Sequence, residues 1–186
     1  ILNITPSALT LAGSYDTPGF ATGVAISGTT AHVADGPGGW LMVNVSDPAA
    51  PEEIGSLDLP AEARGIFVAG TTGYVATARG LHLVDLGEPR SPRTLGALPT
   101  GDEAWDVFVA DGTAYLANGP AGLRVVNVRD PAGPLEIGRY NTPGDAESVV
   151  VADGLIYVAD LGGGVFVLRY VGEPRTATVT PRRIPR

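Results

Sequence analysis

The chain has 186 residues, of which 44% are hydrophobic, and it carries a formal net charge of −8. This length suits one domain of ordinary size with an apolar core. The acidic balance argues against a nucleic-acid platform, which presents a basic face. Because the sequence has no cysteine, it can hold neither disulfides nor thiolate metal sites. No segment reaches the roughly 18 apolar residues of a membrane span, and no signal peptide is visible.

The first 18 residues resemble the end of a repeated unit. ILNIT at 1–5 matches MVNVS at 42–46, and LTLAGSYDTP at 9–18 matches EEIGSLDLP at 52–60. We therefore predict that residues 1–18 supply the outer two strands of a preceding or closing blade. Either the chain is a piece of a larger ring, or these strands close the circle against the last unit. The larger ring is favoured, because the last unit already has a third strand of its own.

Four fuller units follow, and several anchors repeat at one period. A glycine in the fourth strand of each unit recurs with spacings of 42, 41 and 42, at Gly13, Gly55, Gly96 and Gly138. A period in this range with four short strands per unit is typical of a β-propeller blade. We predict an all-β propeller with blades at about 19–60, 61–101, 102–143 and 144–180, and an Arg/Pro-rich tail at 181–186.

Each unit is predicted to form four strands joined by tight turns. The first strands read GVAIS, GIFVA, DVFVA and SVVVA, which are apolar on both faces, as expected for strands packed between two neighbouring blades. Asp111-Gly112 and Asp153-Gly154 predict hairpin turns with positive φ. The fourth strands are polar and flanked by proline, which suits an outer edge.

Three of the third strands share one pattern with the turns that follow them: WLMVNVSDP at 40–48, GLHLVDLGEP at 80–89 and GLRVVNVRDP at 122–131. These segments resemble the LVIVD repeat, a group of bacterial and archaeal β-propeller repeats. The last unit departs from the pattern, with Arg169 where Asn or Asp is expected. The resemblance implies a secreted or surface-exposed propeller of mostly uncharacterised role, so we expect an extracellular or cell-surface location.

Residues that could carry chemistry have a simpler structural interpretation. His32 occupies a position held by tyrosine in the other units, and His82 lies within a third strand, so both are predicted to pack. Three second strands end in a polar residue: Asp35, Asn118 and Asp160. Their oxygens could form a ring of metal ligands. However, the second unit has Thr77 at this position, and side chains of this kind also cap their own turns. We predict no catalytic residue, no metal site and no cofactor.

The most informative variation lies where each outer strand connects to the next inner strand. The connections read DTPGFAT, DLPAEAR, TGDEAWD and NTPGDAES. In a propeller they converge on one rim of the central channel, so variable side chains meet on a regular scaffold. Trp105 stands where the other units carry Thr22, Arg64 and Glu147. The predicted partner-binding residues are Arg64, Asp102, Glu103, Trp105 and Glu147.

These patterns support two hypotheses of function. The leading one is a non-catalytic surface or assembly scaffold that presents the rim to another protein or a glycan. The alternative is a metal-assisted hydrolase or lyase that uses the acidic rim of the channel. A set of histidines or a dense carboxylate ring would favour the alternative, and neither is convincing in this sequence. No nucleic acid is expected as a partner. We favour an arrangement in which the chain is part of a larger propeller or assembly.

Overall fold

A computed structural model describes residues 10–171, and within them it contains 15 strands and no helix. In that range there is accordingly no helix long and apolar enough to cross a membrane. The predicted all-β class is confirmed. The predicted strand at 1–5 and the tail at 181–186 lie outside the described residues.

The strands form four antiparallel sheets, each taken in chain order, which we number blades 1 to 4. Blade 1 consists of β1 Gly23–Ser27, β2 Thr30–Ala34, β3 Trp40–Asn44 and β4 Glu52–Leu57. Blade 2 consists of β5 Ala63–Ala69, β6 Thr72–Thr77, β7 Gly80–Asp85 and β8 Arg93–Pro99. Blade 3 consists of β9 Asp106–Ala110, β10 Thr113–Ala117, β11 Leu123–Asn127 and β12 Leu135–Tyr140.

Blade 4 has three strands among the described residues: β13 Asp145–Ala152, β14 Leu155–Leu161 and β15 Gly164–Leu168. A four-stranded blade was predicted here, and the stretch that would supply its fourth strand falls beyond residue 171. The other three blades have the four strands that the repeat predicts.

The predicted hairpin turns between first and second strands are present. Asp111 and Asp153 have φ of 50° and 52°, and the glycines that follow them also have positive φ. Few residues other than glycine tolerate this left-handed region, and Asp is among them. The Asp-Gly pairs therefore fix where β9 turns into β10 and where β13 turns into β14.

The glycine repeated in the fourth strand lies at a β-bulge and at a close contact between blades. The pairing of β3 with β4 shifts between Met42 and Val43, next to Gly55. A Cβ at Gly55 would overlap the carbonyl oxygen of Pro89 in the following blade, and one at Gly96 would overlap that of Pro131. The 42-residue spacing of this glycine therefore reflects a backbone contact that recurs at Gly13, Gly55 and Gly96, whereas a Cβ at Gly138 would meet the ring of Tyr170.

The apolar core lies between blades. Blades 1 and 2 share a cluster that contains Trp40, Met42 and Val75. Blades 2 and 3 share a second cluster around Leu81 and Leu116, and a third cluster joins blades 3 and 4. The sheets consequently stack side by side through their faces, as blades of a propeller do.

In the two end blades the first strand is exposed on one face, which corrects the prediction that all first strands are packed on both faces; in blade 1 the neighbouring residues of that face, Ala31, Val33, Leu41 and Val43, are buried beside Tyr15. In β1 the side chains of Val24 and Ile26 are 67% and 63% exposed, and in β13 Val150 is 51% exposed. On the opposite face Val149 is buried against blade 3 and Ala25 packs, partly buried, against blade 2. The prediction holds only where a blade has a neighbour on each side, because the described blades form an open arc.

Residues 10–18 lie beside blade 1 without forming a strand. A Cβ at Gly13 would overlap the carbonyl oxygen of Pro48, which is the relation that Gly55 has to Pro89. The Tyr15 hydroxyl donates a hydrogen bond to Glu53 at 3.0 Å. The segment therefore occupies the place of an outer strand relative to blade 1, although the strand pairing predicted for it is absent among the described residues.

Replacing Tyr115 by Ala tests the packing between blades 3 and 4. Tyr115 is 9% exposed and lies in the third core cluster, so its removal is expected to destabilise the protein by about 3–5 kcal/mol. Tyr140, which is 46% exposed, provides the matched control, and Tyr140→Ala should cost less than half as much. Urea titrations followed by circular dichroism measure both, and equal losses would contradict the assigned strand faces.

Candidate functional site

The connections between blades lie at one end of the sheets, together with the loops between second and third strands. The Phe20 N–H donates to the carbonyl oxygen of Asp35 at 3.2 Å, and the Trp105 N–H donates to that of Ala117 at 2.8 Å. The connections before blades 2 and 4 are held in the same way, through the carbonyl oxygens of Glu62 and Ala146. The connections 16–22, 58–64, 100–105 and 141–147 therefore lie at one edge of the arc. We call this edge the rim.

Three of the predicted site residues meet on the rim. One guanidinium nitrogen of Arg64 lies 2.9 Å from a carboxylate oxygen of Glu103. The guanidinium carbon of Arg64 also lies 3.7 Å from the centre of the Trp105 ring. The Arg64 side chain is only 12% exposed, whereas Trp105 is 37% exposed. Arg64 is therefore held between a carboxylate and an indole, the geometry of an ion pair combined with a cation–π contact.

The convergence of the inner strands brings these side chains together. Gly65 follows Arg64 in β5, and a Cβ at Gly65 would lie 2.7 Å from the carbonyl oxygen of Trp105. Only glycine allows β5 to approach β9 this closely. Arg64 thus reaches the following blade without extending into solvent.

A neighbouring residue links blades 3 and 4 at the same level. The Asp106 carboxylate accepts hydrogen bonds from the Ser148 hydroxyl at 2.7 Å and from the Val149 N–H at 3.0 Å. This role was not predicted. The sequence did indicate that this position is unusual, because Asp106 stands where the first two units have Gly23 and Gly65.

The other two predicted site residues do not join the cluster. Asp102 is exposed and Glu147 is half-buried, and neither side chain forms a hydrogen bond or ion pair with residues of the described range. Phe20, which was not among the predicted site residues, is 74% exposed on the rim. The other units have Glu62, Glu103 and Asp145 at this position. The aromatic residue among acidic ones could therefore have identified Phe20 from the sequence.

The rim is acidic. Its four connections contain one basic residue, Arg64, and seven acidic ones: Asp16, Asp58, Glu62, Asp102, Glu103, Asp145 and Glu147. The adjacent loops add one cation, Arg79. A surface with this balance attracts cationic partners and repels anionic ones.

The polar residues at the ends of second strands have structural roles, though not always the predicted one. Thr77 caps its own turn by accepting the Arg79 N–H at 3.2 Å. Asp35 instead accepts the N–H of Gly19 at 2.7 Å, and Asp160 accepts that of Gly144 at 3.2 Å. These two carboxylates therefore hold the connections that contain Thr-Pro-Gly. Asn118 is fully buried, and its amide has no hydrogen-bond partner.

A metal site would need several suitable side chains within reach of one point. Between residues 10 and 171 no group of three or more His, Asp or Glu side chains is arranged to hold a metal ion. The metal-assisted alternative therefore has no ligand cluster to rest on in that part of the chain.

The chain resembles a known repeat family and several solved structures. The LVIVD repeat matches residues 18–58, 101–142 and 143–168, more than half of the chain. The crystal structure of the computationally designed Ika4 protein is similar, with a TM-score of 0.71 and 8% identity over 88% of this chain and 99% of that one. The computationally designed Ika8 protein gives a TM-score of 0.67 and 9% identity over 81% of this chain and 46% of that one. No curated protein sequence matches significantly.

Both histidines are buried, as predicted. His32 is 4% exposed and packs edge-on against Trp40, with ring centres 5.6 Å apart. His82 is 8% exposed, and the Nδ1 atoms of both rings have no hydrogen-bond partner. Burial lowers the pKa of His32 and of His82 below the ordinary value of 6.5, because charging a desolvated ring is unfavourable.

These lowered pKa values predict a loss of stability in mild acid. As the pH falls below about 6.5, the unfolded chain takes up protons that the folded protein resists, so the free energy of unfolding decreases. The double variant His32→Tyr with His82→Leu carries the residues that other blades have at these positions, and its stability should vary less between pH 7 and pH 5. Urea titrations at these pH values measure the difference. Parallel curves for the two proteins would show that the histidines do not contribute.

Proposed function

The chain belongs to the LVIVD-repeat family, and from this premise we propose that its blades form a non-catalytic scaffold that presents the rim to a partner protein. The observation that carries the proposal is the arrangement of Arg64 between Glu103 and Trp105. Tryptophan and arginine are enriched at the energetic centres of protein interfaces.

The arrangement lowers the cost of binding. A free arginine loses side-chain entropy when a partner immobilises it. Arg64 is already fixed by the carboxylate at 2.9 Å and the indole at 3.7 Å. The exposed part of Trp105 therefore belongs to an ordered surface that a partner can cover with little further ordering.

The charge of the rim favours a basic protein segment as the partner. The seven acidic residues of the connections outnumber the cations around them, and Arg64 is neutralised by Glu103. An acidic glycan would be repelled by this surface. A neutral glycan is the less favoured partner, because Arg64 covers one face of the Trp105 ring and leaves a sugar only the other face.

The location that we propose, outside the cell or at its surface, rests on the family resemblance alone. It is compatible with a scaffold whose partners are other macromolecules. The family resemblance likewise supports a prokaryotic source.

Replacing Trp105 by Ala tests the rim as a binding surface. Peptides selected from a displayed random library against the full chain should be basic on average, and their affinity for Trp105→Ala should fall by about 2 kcal/mol or more, roughly 30-fold. The partly exposed position of Trp105 leads us to expect a nearly unchanged melting temperature. Isothermal titration calorimetry and thermal melts measure the two effects.

Leu135→Ala is the control, since Leu135 is 62% exposed on the outer strand β12, away from the rim. It should leave peptide binding unchanged. A large loss of stability in Trp105→Ala, with unchanged binding per folded molecule, would make the indole a packing residue. Selection of acidic peptides would contradict the charge argument.

A further inference from the structure

A cavity of about 380 Å³ opens between blades 3 and 4, at the end of the sheets opposite the rim. Its mouth is formed by the two hairpin turns that join β9 to β10 and β13 to β14. Because the second strands run from these turns toward the rim, the cavity and the rim lie at opposite ends of one interface. The cavity is lined by residues of both turns, by residues of the adjoining strands and by Tyr170.

The inner wall of the cavity is apolar. Ile156 is 3% exposed and belongs to the core cluster that blades 3 and 4 share, and Val151 packs against the same cluster. Tyr170 also packs there, and its hydroxyl donates a hydrogen bond to the carbonyl oxygen of Ile137 at 3.4 Å. This wall suits the alkyl part of a ligand, because burying such a chain removes apolar surface from water.

The hydroxyl of Tyr115 gives the cavity a polar group without a protein partner. Tyr115 lines the cavity, although its side chain is only 9% exposed. In the described range the hydroxyls of Tyr15 and Tyr170 donate hydrogen bonds, whereas that of Tyr115 has none. Burial raises the pKa of the Tyr115 hydroxyl above its ordinary value of 10.0, and the negative charge of Asp111 raises it further. The hydroxyl therefore lies near this carboxylate, and a largely buried polar group of this kind gains from a bound partner.

Two carboxylates stand at the mouth of the cavity. Asp111 and Asp153 begin the two turns and line the cavity. Blades 1 and 2 have Gly28 and Gly70 at this position, also with positive φ, so the turn itself does not require a carboxylate. Among the three interfaces between described blades, that of blades 3 and 4 alone places two acidic turns side by side.

These two carboxylates are not neutralised within the part of the chain that the structure describes. The ion pairs found there involve other carboxylates. The cation beside the mouth is Arg129, which donates a hydrogen bond to the carbonyl oxygen of Asp111 at 2.9 Å and lies against Gly112. Two negative charges therefore face one positive charge, and the mouth keeps a negative potential.

We propose that this cavity binds an organic cation made of a short alkyl chain with a protonated amine at its end. The ammonium group lies between the carboxylates of Asp111 and Asp153 and donates a hydrogen bond to the hydroxyl oxygen of Tyr115. The alkyl chain packs on Ile156 and Val151. Such a group occurs both in free alkylamines and in the side chain of lysine, and the two share the chemistry that the cavity recognises. This site is separate from the rim.

Titration of the full chain with n-butylammonium, followed by proton–nitrogen correlation NMR, tests the site. Binding should shift the amide signals of Gly112 and Gly154, which follow the two carboxylates in the turns, with a Kd of about 1 mM or below. The neutral n-butanol has the same alkyl chain and should bind at least about tenfold more weakly, because it lacks the charge that the carboxylates attract.

Three variants change the polar groups of the cavity with little change of shape. Asp111→Asn and Asp153→Asn each remove one charge and keep a residue that tolerates positive φ in this type of turn. Each should weaken the binding of butylammonium about tenfold, and Tyr115→Phe should weaken it about threefold or more, the ranges for hydrogen bonds to charged and to neutral groups. Circular dichroism melts verify that the variants are folded.

Glu52→Gln is the matched control, because it removes one exposed carboxylate from β4 of blade 1, away from the cavity. It should bind butylammonium like the unmodified chain. A blocked tripeptide, acetyl-Gly-Lys-Gly-amide, distinguishes the two sources of the ammonium group. Binding of the peptide at the same glycine signals assigns the cavity to lysine side chains, whereas binding of the free amine alone assigns it to small molecules.

Four results would overturn the proposal. Unchanged signals of Gly112 and Gly154 at millimolar butylammonium would mean that the cavity does not take the cation. Shifts confined to the indole N–H of Trp105 would place the binding at the rim. Equal affinity for butanol would show that the carboxylates contribute nothing. Equal weakening by Glu52→Gln would reduce the effect to the general attraction of an acidic protein for cations.

Discussion

Apolar packing between successive sheets is the interaction on which the rest of the structure depends. A single sheet of this size has two faces and cannot bury either alone, so each blade gains its core from its neighbour. The three clusters that hold Trp40, Leu81 and Leu123 each span two blades. The spacing between blades stays regular because a large residue on one blade meets a small one on the next. The indole of Trp40 lies against the backbone of Gly73, and the smaller Leu81 packs with Ala114. Stability therefore follows from pairs of neighbouring blades.

The same stacking determines the geometry of the rim. Successive inner strands approach so closely that a Cβ at Gly65 would contact the backbone of Trp105 and Asp106, which places Arg64 of blade 2 over the indole of blade 3. Blade 3 has Asp106 at the position of Gly65, and its carboxylate connects two blades by accepting a hydrogen bond from the Ser148 hydroxyl. The scaffold fixes the backbone, and the residues that differ between units distinguish one part of the rim from another.

The sequence predicted what depends on local geometry and on the period. The Asp-Gly hairpins, the fourth-strand glycine and the burial of Tyr115 follow from turns and packing positions that recur between units, so comparing units revealed them. The exposure of Val24 and Val150 could not be predicted in this way, because it depends on the absence of a neighbour and not on the residue itself. The contact between Arg64 and Trp105 joins two units at positions that differ in each, so only the fold could bring them together. The hydrogen bond from Gly19 to Asp35 could have been anticipated, since both units that have Asp at the end of the second strand also have Thr-Pro-Gly in the connection.

The arc has an energetic asymmetry that bears on the stability of the rim. In a linear array with nearest-neighbour coupling, an inner blade is held by two interfaces and an end blade by one, so opening begins at the ends. Blade 4 carries Glu147 and Asp145 of the rim. Asp106 opposes this opening by holding the Ser148 hydroxyl and the Val149 N–H of β13.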